Sequence, residues 1–384
     1  MVRSAEPSVL IDATAVPTDR GGVGRYVDSL IAGLDAAGAQ LSVVCQPRDA
    51  ELYTRTAPSS RVVPASESVA TRTARLSWEQ LTLPRLVRRL GVRVLHSPHY
   101  TMPLANPVAS VVTLHDATFF TDPALHSSVK AGFFRGWIRA SLARATLCVT
   151  PSDATTSELV RLLGARRSAM SVVPHGVDTN RFHPPTPEEV AEVRQLLGLR
   201  DAPYVAFLGA LEPRKNVPSL IRGFAKACQG REDPPTLVLA GQPGWDGQVE
   251  RALDSVPHRV RVIRPGYLPF RNLAGFLGGA ELVAYPSLGE GFGLPVLEAM
   301  ACGACVLTTQ RLSLPEVGGD AVAYCGVGAA DIAQAITELL DQPRRRAELS
   351  TAALTRSKEF SWAGCAAGHL EAFARADWIH RRGR

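Results

Sequence analysis

The chain has 384 residues, of which 46% are hydrophobic and 20% charged, with a formal net charge of +6. That length exceeds one ordinary core and implies two domains of roughly 150–200 residues each, with the composition of an ordinary globular protein. No apolar run reaches the ~20 residues of a membrane-spanning helix, and the opening "MVRSAEPSVLID" lacks the apolar centre of a secretory signal, so a cytoplasmic protein is expected.

Short β-rich runs alternate with amphipathic helical runs. Strands are predicted at "SVLIDA" (8–13), "LSVVCQ" (41–46), "VRVLHS" (92–97), "SVVTLHD" (110–116), "TLCVT" (146–150) and "SVVPHG" (171–176). After the Pro-rich break "RFHPPTPEEV" (181–190) the series restarts with "YVAFLG" (204–209), "TLVLAG" (236–241), "VRVIRPG" (260–266), "ELVAYPS" (281–287), "ACVLTT" (304–309) and "AVAYC" (321–325). Near-continuous Val/Ile/Leu runs separated by helices indicate parallel sheets covered on both faces. The fold class is therefore α/β, with two doubly wound Rossmann-like domains at 1–180 and 181–365. A last helix, 366–384, is expected to return to the first domain.

The positive charge is uneven. Residues 1–180 carry 19 Lys+Arg against 14 Asp+Glu, whereas residues 181–384 carry 23 against 22. Much of the excess lies in "RTARLSWEQLTLPRLVRRLGVR" (72–93) and "KAGFFRGWIRASLAR" (130–144). Such runs are either solvated helix faces or a basic surface that meets an anionic membrane or an acidic substrate. No aromatic stacking series is interleaved with them, which argues against nucleic acid. The seven cysteines are odd in number and scattered, so free thiols are expected. Cys302 and Cys305 form a C-x-x-C, but no second pair or nearby histidine completes a zinc site.

In open parallel sheets ligands bind beyond the carboxyl ends of the strands, and the unusual glycine and polar residues collect at those exits. Gly21-Gly22-Val23-Gly24-Arg25 comes shortly after the first strand, His115-Asp116 and His175-Gly176-Val177-Asp178 close two others, and Glu212-Pro-Arg214-Lys215-Asn216 follows "YVAFLG". All of them can face one cleft. "LGEGFGLPVLE" follows "LVAYPS" and sets Glu290 in a glycine-rich turn and Glu298 eight positions on. Pro295 suits the first turn of a helix, so a helix is predicted to begin near Leu294, with a ready anion site at its N-terminus. Arg214 and Lys215 together match a diphosphate, as a fork beside a point charge. Glu290 and Glu298 suit acceptance of hydroxyl hydrogens. The Gly21–Gly24 loop also admits an NAD-dependent oxidoreductase, although its third fingerprint glycine would fall at Val27. A two-domain nucleotide-sugar-binding protein without turnover is the other alternative. His115-Asp116 lacks a serine context for nucleophilic catalysis and partners for a metal.

The motifs "GGVGRY", "FLGALEPRKN" and "EGFGLPVLEAMACG", the last an E-x7-E signature, resemble those of the retaining glycosyltransferases of family 4, built on the GT-B fold. The resemblance spans nearly the whole chain. "TLHDATFF" with "VTPSDATTSELV" is similar to a branch of bacterial mannosyltransferases acting in polysaccharide assembly. The resemblance implies a hexose, mannose first, moved from a nucleoside-diphosphate sugar (GDP-mannose, then a UDP-sugar) to a glycan or lipid-linked acceptor, with no cofactor and no metal. It implies that Arg214 and Lys215 hold the donor diphosphate, with Gly22 and Gly209 nearby, and that Glu298 takes the ribose hydroxyls. Glu290 and the backbone of Gly291, Phe292, Gly293 and Leu294 would meet the transferred sugar, as would His115. Gly24, Arg25 and Asp116 would lie on the acceptor side. His175 is given no role beyond a domain-junction turn. A place at the inner face of the cell membrane would follow from a lipid-linked acceptor.

Overall fold

A computed structural model describes residues 7–18, 20–199 and 202–383; residues 1–6, part of the stretch read for a secretory signal, lie outside them. The chain divides into two compact units. Unit 1 holds residues 1–176 and 361–384, and unit 2 holds residues 177–360.

Unit 1 is built on a seven-stranded parallel sheet. Its strands are β1 (Val9–Asp12), β2 (Leu41–Cys45), β3 (Arg61–Pro64), β4 (Val94–Ser97), β5 (Ala109–Thr113), β6 (Leu147–Thr150) and β7 (Met170–Val172), in the order β3-β2-β1-β4-β5-β6-β7. Side chains alternate between the two faces of each strand. Val9 and Ile11 join Val43, Val94 and Val111 in a core against Tyr26, Leu30 and Phe373. Leu10, Val44 and Leu95 point the other way, onto Leu83, Leu86 and Val87. Further along that second face Val112 and Leu114 pack on Phe134, Ile138 and Leu159. Truncating a fully buried ring such as Phe373 to alanine removes about 3–5 kcal/mol.

The edge strand β3 is absent from the sequence expectations. "RVVP" is exposed at both ends and half-buried between, and Pro64, which donates no ladder hydrogen bond, is tolerated at an edge. The C-terminal helix Trp362–Arg382 belongs to unit 1, where it packs on the Gly22–Ala36 helix. Gly33 makes that approach close, since a Cβ there would lie 3.1 Å from the Trp362 carbonyl oxygen. The chain leaves the unit at Gly176, where a Cβ would fall 2.2 Å from the Trp362 nitrogen.

Unit 2 is a six-stranded parallel sheet of β8 (Tyr204–Leu208), β9 (Thr236–Ala240), β10 (Val262–Gly266), β11 (Leu282–Tyr285), β12 (Val306–Thr309) and β13 (Ala323–Cys325), in the order β10-β9-β8-β11-β12-β13. β8 and β11 are neighbours, with Leu282 opposite Val205 and Val283 opposite Ala206. The strand order therefore reverses beside β8, and the exits of β8 and β11 lie side by side at one end of the sheet. The Pro-rich break leads into the Pro187–Leu196 helix, whose capping box is complete: Glu189 N donates to Thr186 Oγ1 (3.3 Å) and Thr186 N donates to Glu189 Oε2 (2.8 Å). The seven cysteines are free thiols. Cys302 and Cys305 are buried, and burial pushes the Cys305 thiol up to about 12.

Candidate functional site

The exit of β8 is shaped by close backbone contact. Gly209 has φ +156° and Gly241 φ +137°, and a Cβ on Gly241 would lie 2.1 Å from the Gly209 carbonyl oxygen. The chain then makes one tight turn, Pro213–Lys215, closed by Asn216 in the left-handed region at φ +57°, a conformation that asparagine tolerates. The Asn216 amide donates to Pro286 O (3.2 Å) and Val327 O (2.9 Å) and so ties the turn to the segment after β11. Leu288 N donates to Arg214 O at 2.8 Å, and Ser287 Oγ lies 3.0 Å from the same oxygen. Two loops 70 residues apart in sequence become one rigid surface, and it carries Arg214 and Lys215.

The Glu290 carboxylate closes that surface from the β11 side. Lys215 Nζ donates to Glu290 Oε1 at 2.7 Å and to the Tyr285 phenol, and Arg214 Nη1 donates to Glu290 Oε2 and to Gly289 O (2.9 Å). Ser287 Oγ (2.6 Å) and Tyr285 OH (3.2 Å) also donate to Glu290 Oε1. Glu290 and Lys215 are only 6% and 8% exposed. Burial alone would raise the carboxyl; Arg214 and Lys215 overcome it and hold it at about 2. Burial first, and the Arg214 charge second, bring the Lys215 ammonium down to about 8 against the opposing pull of Glu290. The carboxylate that the sequence assigns to a sugar hydroxyl is thus bonded to the two cations that the sequence assigns to a diphosphate.

The glycine turn ends at Gly293, φ +106°, which is the N-cap of the Leu294–Ala301 helix, with Pro295 in its first turn and no acid there. The first N–H groups of a helix have no internal acceptor and favour an anion. Ser313 Oγ holds the carbonyls of Glu290 (2.8 Å) and Phe292 (2.9 Å), fixing the turn that contains Gly291. Glu298, the fifth helical residue, is 3% exposed. Tyr285, Ser287 and Ser313 went unremarked in the sequence. The signal available was a Tyr closing a strand otherwise composed of Leu, Val and Ala, with a Ser two residues beyond it.

In unit 1 the predicted residues lie at the carboxyl ends of the strands. His115 is buried, and its Nε2–H donates to Pro98 O (2.7 Å); burial lowers its pKa. Tyr26 stands edge-on to it at 5.0 Å and lies 4.6 Å from His175, whose ring is also buried. Asp116 has local partners: Oδ1 accepts from Thr118 N (3.0 Å) and Thr118 Oγ1 (2.7 Å), and Oδ2 accepts from Tyr100 OH (3.1 Å). Gly22 is the first residue of its helix and Gly24 leaves space for Arg20, whose Cδ would be 3.0 Å from a Cβ there. Arg20 in turn binds Asp28 (3.0 Å) and Asp49 (2.6 Å). Arg25 is half-buried on the same helix.

Two parallel α/β units of this kind define the GT-B class. The structure is similar to that of HepE from Anabaena in complex with UDP and glucose, with a TM-score of 0.73 and 17% identity over 96% of this chain and 99% of that one. It is also similar to WaaG, a glycosyltransferase involved in lipopolysaccharide biosynthesis, with a TM-score of 0.71 and 15% identity over 95% and 99% of the two chains. Residues 189–356 match the Glycosyl transferases group 1 family and residues 20–181 match Glycosyltransferase Family 4. The O-antigen chain mannosyltransferase B of Escherichia coli is 32% identical over 73% of this chain and 74% of its own. A GDP-mannose-dependent monoacylated alpha-(1-6)-phosphatidylinositol monomannoside mannosyltransferase of Corynebacterium glutamicum is 31% identical over 50% of this chain and 52% of its own. The chain belongs to glycosyltransferase family 4. Membership sets aside the oxidoreductase reading of the Gly21–Gly24 loop. Among the described residues, no helix is long and apolar enough to cross a membrane.

Proposed function

We propose that this glycosyltransferase moves a hexose, mannose in the first instance, from a nucleoside-diphosphate sugar to a glycan or lipid-linked acceptor, with retention at the anomeric carbon and without a metal. One observation carries the reading: Arg214 and Lys215 are fixed beside each other, at the exit of a neighbouring strand to the one that leads into the Leu294–Ala301 helix. A diphosphate entering there exchanges Glu290 for its own oxygens as partner to both cations. Glu290, released, accepts a sugar hydroxyl, and Glu298 accepts from the ribose. As the glycosidic bond breaks, charge builds on the leaving diphosphate, and two cations with a helix N-terminus stabilise it in a site that excludes water. That is the service a divalent cation gives in other transferases. The leaving phosphate then takes the acceptor's proton on the face it has just vacated, which yields retention. Mannose and GDP are favoured by the names of the relatives, and a lipid-linked acceptor at an anionic membrane surface by the basic charge of residues 1–180.

The test is a panel of nucleotide sugars incubated with the full chain, with released nucleotide read by mass spectrometry. GDP release from GDP-mannose is expected. Release from a UDP-sugar alone removes mannose from the proposal, and release from none removes the transfer.

A further inference from the structure

The carbonyls of the turn that leads from β11 to the Leu294–Ala301 helix are held one after another by side chains. Thr309 Oγ1 donates to Ser287 O (2.7 Å), Arg311 Nε to Leu288 O and Arg214 Nη1 to Gly289 O (2.9 Å). The Ser313 hydroxyl lies 2.8 Å from Glu290 O and 2.9 Å from Phe292 O. Thr309, Arg311 and Ser313 all belong to the exit of β12, the neighbour of β11. In a trans peptide the N–H of one residue points opposite to the carbonyl of the residue before it. Holding the Phe292 carbonyl on the β12 side therefore turns the Gly293 N–H away from β12, next to the first N–H groups of the helix, which have no internal acceptor. Holding the Leu288 and Gly289 carbonyls does the same for the Gly289 and Glu290 N–H groups.

Ser313 is fully buried and precedes the short Leu314–Gly318 helix. A serine in that position ordinarily caps the helix with its own oxygen. Here no such cap forms, the Ser313 backbone is already helical, and the hydroxyl is turned to the glycine loop instead. The residue before it, Leu312, stands in the left-handed region at φ +49°. That conformation is unfavourable for a residue with a Cβ and persists where the surroundings over-determine it, as they do at functional sites. Leu312 separates Arg311 from Ser313, whose side chains both reach the turn. Leu314 then packs on Gly293, where a Cβ would lie 2.9 Å from Leu314 Cδ2.

We propose that Ser313, with Thr309, is a positioning residue for the transfer: acting through the turn, it sets the peptide N–H groups to meet the charge that builds on the leaving diphosphate. The inference rests on the transferase reading and adds residues to its site. N–H dipoles stabilise a developing charge when they are oriented before it forms. The charge that appears as the glycosidic bond breaks is one that a nucleoside diphosphate carries on its terminal phosphate and the intact sugar nucleotide does not. Loosening the turn therefore weakens the hold on the transition state and on the diphosphate product more than the hold on the substrate.

Ser313→Ala, Thr309→Val and Thr308→Val are compared with the wild type as full chains. Thr308 is an equally buried hydroxyl, bonded to the strand carbonyl of Tyr285 (2.9 Å) and not to the turn, so it reports what losing a buried hydrogen bond does by itself. Nucleotide release from GDP-mannose is followed over a range of donor concentrations. GDP and GMP are titrated calorimetrically, or UDP and UMP should the donor panel select uridine. In Ser313→Ala kcat falls roughly ten- to hundredfold, with KM within about threefold of the wild type. GDP binds about tenfold more weakly, whereas GMP, which lacks the terminal phosphate, binds as before. Thr309→Val shows the same pattern to a smaller degree, and the assignment is read on it should Ser313→Ala not fold. Thr308→Val shows neither change. Wild-type kcat and GDP affinity in a folded Ser313→Ala protein, an equal loss of GDP and GMP, or the same fall in kcat in Thr308→Val overturns the assignment. A donor panel from which the wild type releases no nucleotide strikes the transferase reading, while the GDP and GMP titrations still decide the role of the turn.

Discussion

The Lys215 ammonium lies 2.7 Å from Glu290 Oε1, and Arg214 takes the other oxygen of the same carboxylate. Both cations proposed for the donor diphosphate are therefore held by one internal anion, in an arrangement fixed by Ser287, Tyr285 and the Gly289 carbonyl. The proposed competition between this carboxylate and an incoming diphosphate has measurable consequences.

Glu290→Gln keeps the shape of the side chain and removes its charge. Leaving buried cations without their anion costs about 3–5 kcal/mol, so the variant is expected to unfold at a lower temperature than the wild type. A nucleoside diphosphate meets less competition in it, so the rise in unfolding temperature on adding GDP becomes larger while sugar transfer falls. A smaller GDP shift in the variant contradicts the exchange of Glu290 for the diphosphate.

Lys215, at about 8, stands below the ordinary lysine value of 10.5. Between those two values the unfolded chain holds a proton that the folded chain has released, so this group's contribution to stability rises with pH across that window. Binding goes the opposite way, because a diphosphate selects the protonated ammonium. GDP affinity is expected to be flat below pH 8 and to fall by up to about tenfold per pH unit above it. Lys215→Arg keeps its charge and should flatten the profile. Calorimetry from pH 7 to 9.5 on both proteins checks this, and a wild-type affinity that does not change across the range counts against it.

Much of the sheet scaffold is legible in the chain because buried parallel strands leave runs such as "YVAFL" and "TLVLA". β3 is not, since an edge strand needs only one covered side and "RVVP" shows neither a long apolar run nor clean alternation. The E-x7-E stretch and the Arg214-Lys215 pair are visible as motifs. What they bond to is not, because the Glu290 contacts depend on β8 and β11 being neighbours across some 75 residues of sequence. The same holds for Tyr26, which meets Thr113 at 2.8 Å across 87 residues of sequence, and His369 at 2.8 Å because the last helix returns to unit 1.

That return also builds a histidine cluster from the buried His96, His115, His175 and His369 and the half-buried His99. Burial above all lowers each of these imidazoles, with neighbouring imidazoles adding to the effect at His96 and His99, the latter reaching about 3, and His369 reaching about 4. A histidine lowered in the folded state protonates first in the unfolded chain. Its stabilisation is complete above its unfolded value near 6.5 and is lost as pH falls, at about 1.4 kcal/mol per unit for each group. Asp12 and Glu79, raised by burial, pull the opposite way at lower pH. Thermal unfolding is expected to drop by several degrees between pH 7.5 and 5.5, and a melting temperature that stays level across that interval contradicts the neutral cluster.

The clasp of Arg214 and Lys215 on the donor diphosphate is tested most directly by calorimetric titration of GDP, or of UDP should the donor panel select it, into the wild type, Arg214→Ala and Lys215→Ala at pH 7. Two charge-assisted contacts of about 1.5–3 kcal/mol each predict a loss of roughly ten- to hundredfold in affinity for either variant. Thermal unfolding of the nucleotide-free proteins shows that both remain folded. Wild-type affinity in a folded Arg214→Ala protein would place the diphosphate elsewhere.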